Sequence, residues 1–299
     1  MRSQVIKSES NCRFYHQTTE CYPFVKWAGG KTQLLSQIRT YLPREFERYF
    51  EPFLGGGAMF FYLVSNRNLG FTSFLSDTNS ELINAYSIVR DDVEELIKIL
   101  KYHQRQYRKS PSQYYYQLRA MTKAMKNVET AARFIALNKT CYNGLYRVNK
   151  NGLFNVPMGR YKNPLICDTD NLRNVSLVLR QSDSHIDVSD YWKILIDNAD
   201  ENDFIYLDPP YNPVSSTANF TGYTDTGFKD DDQKQLAKIF RKLDARGCYI
   251  ILSNSDTPLV RTLYQDYTDY TMEIDANRAI NSKASLRTGH RELLIRNYE

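Results

Sequence analysis

Several things are missing from this sequence, and each absence removes a class of protein. The five cysteines, Cys12, Cys21, Cys141, Cys167 and Cys248, include no C-x-x-C pair and no framework spacing. Zinc and disulfides are therefore not expected, and the thiols read as reduced. No apolar run approaches the ~18 residues that a membrane helix requires. The longest, in "DFIYLD" and "CYIILSN", have the length of strands. The opening "MRSQVIKSESNCRFYHQTTECYPF" is polar and lacks an apolar h-region, so no signal peptide is read and the cytoplasm is the expected compartment.

Acid is scarce in one place. Of 39 basic and 34 acidic residues, 13 basic and a single acid, Glu129, fall between Lys101 and Leu165. That segment carries +12, while the chain as a whole carries only +5. A short charge run is usually a solvated helix face. Thirteen basic residues against one acid over 65 positions, interleaved with Tyr, Phe and Asn, instead look like a polyanion-binding module inside an otherwise acidic protein.

What is present alternates between strand and helix. "FEPFLGGGAMFF" reads as a short strand, a glycine turn and a helix start, and "FTSFLSDTN" as a second strand ending in Asp77. Apolar residues from Leu82 to Leu100 recur at three- and four-residue spacing, which predicts a helix over 80–100. In the basic segment, Leu145–Val148 and Leu153–Val156 flank "NKNG", a hairpin turn signal. Alternation resumes after residue 170. "DDDQKQLAKIFRKLDARG" places Leu236, Ile239, Phe240 and Leu243 on one helical face, with Asp expected as N-terminal cap and Gly247 just past the end. The pattern implies an α/β fold with a doubly wound, mostly parallel, Rossmann-like sheet, interrupted by a mainly helical insertion that carries a β-hairpin. Ligands in such sheets bind beyond the carboxyl ends of the strands.

Three strand ends carry chemistry. Gly55, Gly56 and Gly57 permit a tight turn and close approach of backbone to a ligand, and Asp77 follows at the end of the next strand, placed to bind a ribose diol. An adenosine-containing cofactor is implied; NAD and S-adenosylmethionine both satisfy this, although "GGGA" departs from the spaced G-x-G-x-x-G pattern of NAD sites. "FVKWAGGKT" ends like a phosphate-binding P-loop, but Val25 stands where that loop needs a glycine, so an ATPase is rejected. The third is "FIYLDPPY", a buried strand ending in Asp208, Pro209, Pro210 and Tyr211. An exocyclic amine on adenine is a poor nucleophile because its lone pair is delocalised into the ring. Acceptors aimed at its two hydrogens help the nitrogen pyramidalise: an Asp208 oxygen and the Pro209 carbonyl can serve, while the prolines fix the chain and supply no donors. Tyr211 can stack on the base. Such a site is unreachable within a duplex, so the base must flip out. Cytosine C5 methylation would need a nucleophilic thiol, typically after a proline, and no cysteine here follows one.

These segments resemble the Dam family of DNA adenine-N6 methyltransferases, of the D12 class. The likeness runs from about Phe24 to Leu294 through "FVKWAGGK", "FEPFLGGGAMFF", "LSDTN", "NKTCYNGLYRVNKNGLFNVPMGRYKNP", "YLDPPY", "ILSNSDT" and "RAINSKASLRTGHRELLI". The resemblance implies S-adenosylmethionine contacts from Trp27, Lys31, the turn from Phe53 through Gly55 to Gly57, Asp77, Asp187 and Asp208. "HIDVSDYW" departs from the family's Asp-Phe segment, because Val188 replaces the aromatic. It implies that Asp208, Pro209, Pro210 and Tyr211 hold the flipped adenine, and that Lys26, Tyr142, Asn143, Leu145, Arg147, Pro157 and Tyr161 read or wedge into double-stranded DNA at GATC. The corresponding division is a polar extension (1–22), a discontinuous methyltransferase domain (23–80 and 168–299) and a target-recognition domain (81–167). No metal and no membrane are expected, and a monomer is. The polar loop 212–228 is expected to close over the flipped base.

Rival readings are an amino methyltransferase acting on RNA or on a protein glutamine, which also uses Pro-Pro-Tyr turns, and an inactive DNA-binding regulator on a methyltransferase scaffold. The basic insertion argues for duplex DNA, and the intact glycine turn, Asp208 and Tyr211 argue for catalysis.

Overall fold

The computed structural model describes residues 20–31, 34–66, 71–121, 126–213, 228–276 and 290–299. Most of the N-terminal extension, most of the 212–228 loop with its expected closure, and the first part of the "RAINSKASLRTGHRELLI" segment lie outside the described residues.

Seven strands form one sheet in the order β3-β2-β1-β4-β5-β7-β6. They are β1 (Arg48–Glu51), β2 (Thr72–Asp77), β3 (His185–Val188), β4 (Phe204–Leu207), β5 (Tyr249–Ser255), β6 (Thr271–Ala276) and β7 (His290–Arg296). The first five run parallel, and β7 is antiparallel to both β5 and β6. All four residues of β4 are buried, as a central strand covered on both faces demands. The order turns back between β1 and β4, so the crevice for a ligand lies at the carboxyl ends of these two strands, where Glu51 and Asp208 stand.

Helices cover both faces. Before and among the early strands come α1 (Leu35–Ile38), α2 (Ala58–Asn66) and α3 (Ser80–Asp91). Then follow α4 (Val93–Lys109), α5 (Pro111–Arg119), α6 (Asn127–Thr140) and α7 (Thr169–Gln181), all between β2 and β3. The remaining helices are α8 (Tyr191–Asn198), α9 (Asp230–Asp244) and α10 (Pro258–Leu263). The glycine turn and β2 form where the pattern places them, and the apolar face of α9 is buried.

Local details differ from the sequence expectation. The helix over 80–100 is broken at Asp92 (φ −139°, ψ 46°) into α3 and α4. Its cause lies 90 residues away: Arg180 and Ser176 of α7 donate to the Arg90 carbonyl, and Arg180 also to that of Asp91, capturing groups that a continuing helix would use. The α9 cap is the backbone of Lys229 rather than an aspartate. Asp230, Asp231 and Asp232 fill the first turn, where Asp232 Oδ2 accepts from the Lys229 N–H at 2.8 Å. The hairpin of the basic segment is reduced to two bridges, Val148–Phe154 and Cys141–Met158, around a tight turn held by the Asn149 side chain. No described helix is long and apolar enough to cross a membrane.

Candidate active site

At the end of β4 the chain turns through Asp208, Pro209, Pro210 and Tyr211, and much of the surrounding polar structure holds that turn in place. Gln233 of α9 donates to the Pro210 carbonyl at 3.1 Å, and its side-chain oxygen accepts from Asn254 of β5. Asn254 also accepts from the Asn212 N–H, Asn212 donates to Asp230, and Ser255 donates to the Asn212 carbonyl. Pro209 and Pro210 fix φ at the two residues leading into this anchor. Among the described residues none donates to the Pro209 carbonyl, which leaves it available as an acceptor.

Asp208 is paired. Its Oδ1 lies 2.8 Å from Lys31 Nζ, with the two side chains 20% and 5% exposed. The ammonium also donates to the Gly29 carbonyl at 2.7 Å and stands 4.8 Å from the Tyr211 ring centroid. Burial pushes the Asp208 carboxyl above its ordinary value and the Lys31 charge opposes that push. The resemblance gives Lys31 to the cofactor; the structure places its charge on the Asp208 carboxylate. Tyr211 donates its phenol to Glu292 Oε2 at 2.7 Å, and burial, with the Asp208 and Glu292 charges, pushes that phenol far up.

On the other side of the crevice is the glycine turn. Asp77 accepts from the Gly55 N–H (3.1 Å) and the Asn79 N–H (2.9 Å), which ties the end of β2 to the turn after β1. Gly55 has φ +47°, and a Cβ there would come within 2.6 Å of the Trp27 ring. The turn is therefore a cradle whose floor is Trp27, itself stacked on Tyr146 at 6.2 Å. Phe53 stacks on Tyr191 (5.1 Å) and meets Phe228 edge-on, forming an aromatic wall beside the turn. Asp187 is exposed near the end of β3, in register with Ser76 and one residue before Val188, which pairs with Asp77.

Sequence reasoning passes over Glu51. It ends β1 at 3% exposure, and its Oε2 accepts from the Tyr49 phenol (2.8 Å) and the Phe60 N–H (3.1 Å). Burial pushes its carboxyl up to about 8. The only signal is an acid between aromatic and proline in "FEPF". Glu292 and Asn138 are missed in the same way, each lying inside a recognised motif without standing out from it.

The residues expected to read DNA lie around the junction of the Lys26 segment with the Gly144 turn of the basic segment. Asn138 of α6, 2% exposed, organises it: Oδ1 accepts from the Lys26 N–H (2.8 Å), and Nδ2 donates to the Lys26 (2.7 Å) and Gly144 (3.1 Å) carbonyls. A Cβ on Gly144 would meet Lys26 Cβ at 2.3 Å, so the two segments are in close contact. Lys26 Nζ caps the Tyr161 ring at 3.6 Å. Tyr142 is exposed, its N–H bonded to the Pro157 carbonyl, and exposed Asn143 takes a left-handed conformation (φ 54°). Leu145 is half-buried; Arg147 is exposed, with Nε held 2.6 Å from Asn155 Oδ1 across the hairpin.

Comparison with known proteins places this geometry. Residues 27–280 match the model of the D12 class N6 adenine-specific DNA methyltransferase family. The type II methyltransferase M.MjaIII of Methanocaldococcus jannaschii is 45% identical over 294 residues, covering 93% of this chain and 100% of that protein. The type II methyltransferase M1.LlaDCHI of Lactococcus lactis subsp. cremoris is 41% identical, over 92% and 95% of the two chains. The DNA adenine methylase of Escherichia coli K12 is 34% identical over 91% and 93%. With a match that spans both the glycine turn and the Asp208 turn, the chain belongs to the D12 class of N6 adenine-specific DNA methyltransferases.

Proposed function

We propose that this enzyme transfers a methyl group from S-adenosylmethionine to the N6 nitrogen of adenine in GATC within double-stranded DNA, after the base has left the helix. The observation that carries the reading is the Asp208 carboxylate, held by Lys31 at the sheet's switch point beside a Pro209 carbonyl that no described residue engages.

Membership of the family implies S-adenosylmethionine as methyl donor. The residues fit it: the Gly55–Gly57 turn leaves no room for a Cβ against Trp27, Asp77 lies at the neighbouring strand end, and Phe53 offers a flat apolar wall. Trp27, Phe53, Gly55, Gly57 and Asp77 would hold it, with Asp187 at the outer edge. When bound it supplies an electrophilic methyl on a sulfonium, a good leaving group. The protein's own part is to position and polarise. Asp208 and the Pro209 carbonyl accept hydrogen bonds from the two amino hydrogens, localising the lone pair on nitrogen, and the nitrogen, once methylated, sheds one of those protons toward the Asp208 carboxylate. Tyr211 supplies the stacking face, and Lys31 keeps Asp208 ionised in a buried place where a neutral acid would offer one acceptor fewer.

Sequence choice falls to the surface built on Asn138. Asn155 holds the Arg147 fork through Nε and Nη2, which leaves Nη1 and the second Nη2 hydrogen for a contact to guanine. Tyr142 and Leu145 would fill the space beside the displaced base, with Asn143, Pro157, Tyr161 and Lys26 completing the contact. The GATC assignment rests on the likeness of this segment to the Dam family. Labelled methyl donor with a GATC duplex and a scrambled duplex tests it: incorporation only into GATC is expected, and equal incorporation would overturn the assignment. Arg147→Ala is expected to relax discrimination; weaker binding by the same factor on every sequence would instead make Arg147 a phosphate contact.

A further inference from the structure

We infer that Glu292 is a positioning residue for the methyl-transfer step, acting through Tyr211; this rests on the reading of the site given above. Glu292 lies on β7, paired in register with Ser255 on β5 and Ile274 on β6, so its backbone is fixed from both sides. It is 6% exposed, and among the described residues no cation forms an ion pair with it. The hydrogen bond its side chain makes there accepts from the Tyr211 phenol at 2.7 Å, across 81 positions of sequence.

A carboxyl group in a strand interior is costly to bury without a cation. Packing alone would be met by an apolar residue, as Leu293, Leu294 and Ile295 show on the same strand. What the acid adds is a strong acceptor at one fixed point. Pro209 and Pro210 fix the backbone path into Tyr211, but they do not fix its side-chain torsions. A charge-assisted bond from the ring's far end to an immobile strand removes that freedom and sets the ring plane beside Asp208 and Lys31. A base entering the site then meets a wall already in place, without a loss of torsional freedom at the moment of stacking.

The test is a cycle of Tyr211→Phe, Glu292→Ala and their combination, with Glu292→Gln and Glu292→Asp alongside, read by single-turnover methyl transfer at saturating DNA and donor. A second readout is the fluorescence of 2-aminopurine at the target position, which reports stacking of the flipped base without any transfer. Glu292→Ala is expected to slow transfer roughly 10- to 100-fold, as loss of a charge-assisted bond implies, with KM for DNA little changed. It should also raise 2-aminopurine emission, because a loose ring quenches less. Glu292→Gln, which keeps an acceptor oxygen, should recover most of the loss. When Tyr211→Phe is already present, adding Glu292→Ala should cost nothing further. Multiplying effects of the two substitutions, or a Gln variant as slow as Ala, would overturn the inference. If the alanine variant does not fold, Glu292→Asp decides: slow on its own and neutral when combined with Tyr211→Phe supports the inference, and slow in both settings overturns it. Failure of the wild type to methylate adenine would instead refute the underlying reading of the site.

Discussion

Replacing Lys31 by methionine isolates the electrostatics of the site, because it keeps the apolar stem and removes the charge. In the wild type the ammonium lies 2.8 Å from an Asp208 oxygen, both side chains being largely withdrawn from water. An opposite charge at that distance lowers a carboxyl pKa by about 1–3 units, and each unit is worth ~1.4 kcal/mol. Burial already pushes Asp208 upward and Lys31 is the largest force opposing it. In Lys31→Met the carboxyl therefore holds its proton to higher pH. A protonated Asp208 offers one acceptor fewer to the adenine amine, so the acid limb of the transfer rate should move to higher pH, while the rate recovers toward alkaline pH. Stability should respond in the same sense. A carboxyl whose folded pKa lies above its unfolded value stabilises the fold at low pH and loses that contribution as pH rises through the folded pKa. The variant should therefore be most destabilised at alkaline pH, where the cost of the orphaned charge is about 3 kcal/mol. Single-turnover transfer between pH 5 and 9, at saturating DNA and donor, reads the first effect, and denaturant unfolding at matched pH reads the second. An acid limb at the wild-type pH, with the rate lowered equally everywhere, would refute the assignment of Lys31 to Asp208.

Two further substitutions address residues outside the reacting centre. Glu51, pushed up by burial from its ordinary 4.5 to about 8, stabilises the fold while protonated, and that contribution is lost as pH rises through 8. Glu51→Gln should flatten the decline in unfolding free energy between pH 5 and 9, by up to ~4 kcal/mol, and unchanged slopes in denaturant titrations would count against a buried neutral acid. Asn138→Asp keeps the acceptor for the Lys26 N–H but sets a carboxylate against the Lys26 and Gly144 carbonyls. With two bonds lost at ~1–3 kcal/mol each, discrimination between GATC and singly altered sites should fall at least tenfold while calorimetric affinity for the donor is retained; an unchanged ratio would show that Asn138 does not set the reading surface.

How far the sequence discloses all this depends on the range of each interaction. The strand ending at Asp208 is legible because "FIYL" is apolar throughout and Asp-Pro-Pro-Tyr stops it within one turn. The glycine turn and the apolar face of α9 are local in the same way. The break at Asp92 is not, because the donors that end α3 sit on α7. The partner of Asp208 lies far upstream in a segment whose local pattern shows only a likeness to phosphate loops, and that of Tyr211 lies downstream on an antiparallel strand. Asn138 looks like any helical polar residue until the fold brings Lys26 against Gly144. The shift from hairpin ladder to isolated bridges has a related cause: α5 takes up the Val156 carbonyl, through bonds from Tyr115 and Arg119.

On the proposed reading, Asp208 and its neighbouring carbonyl make an adenine amine nucleophilic. The check is to digest duplex DNA treated with the donor and either the wild type or Asp208→Ala, and to identify the modified nucleosides by mass spectrometry. N6-methyldeoxyadenosine is expected with the wild type and none above background with the variant, at DNA affinity within about threefold. Methylated cytosine in place of adenine, or undiminished N6-methyldeoxyadenosine from Asp208→Ala, would contradict it.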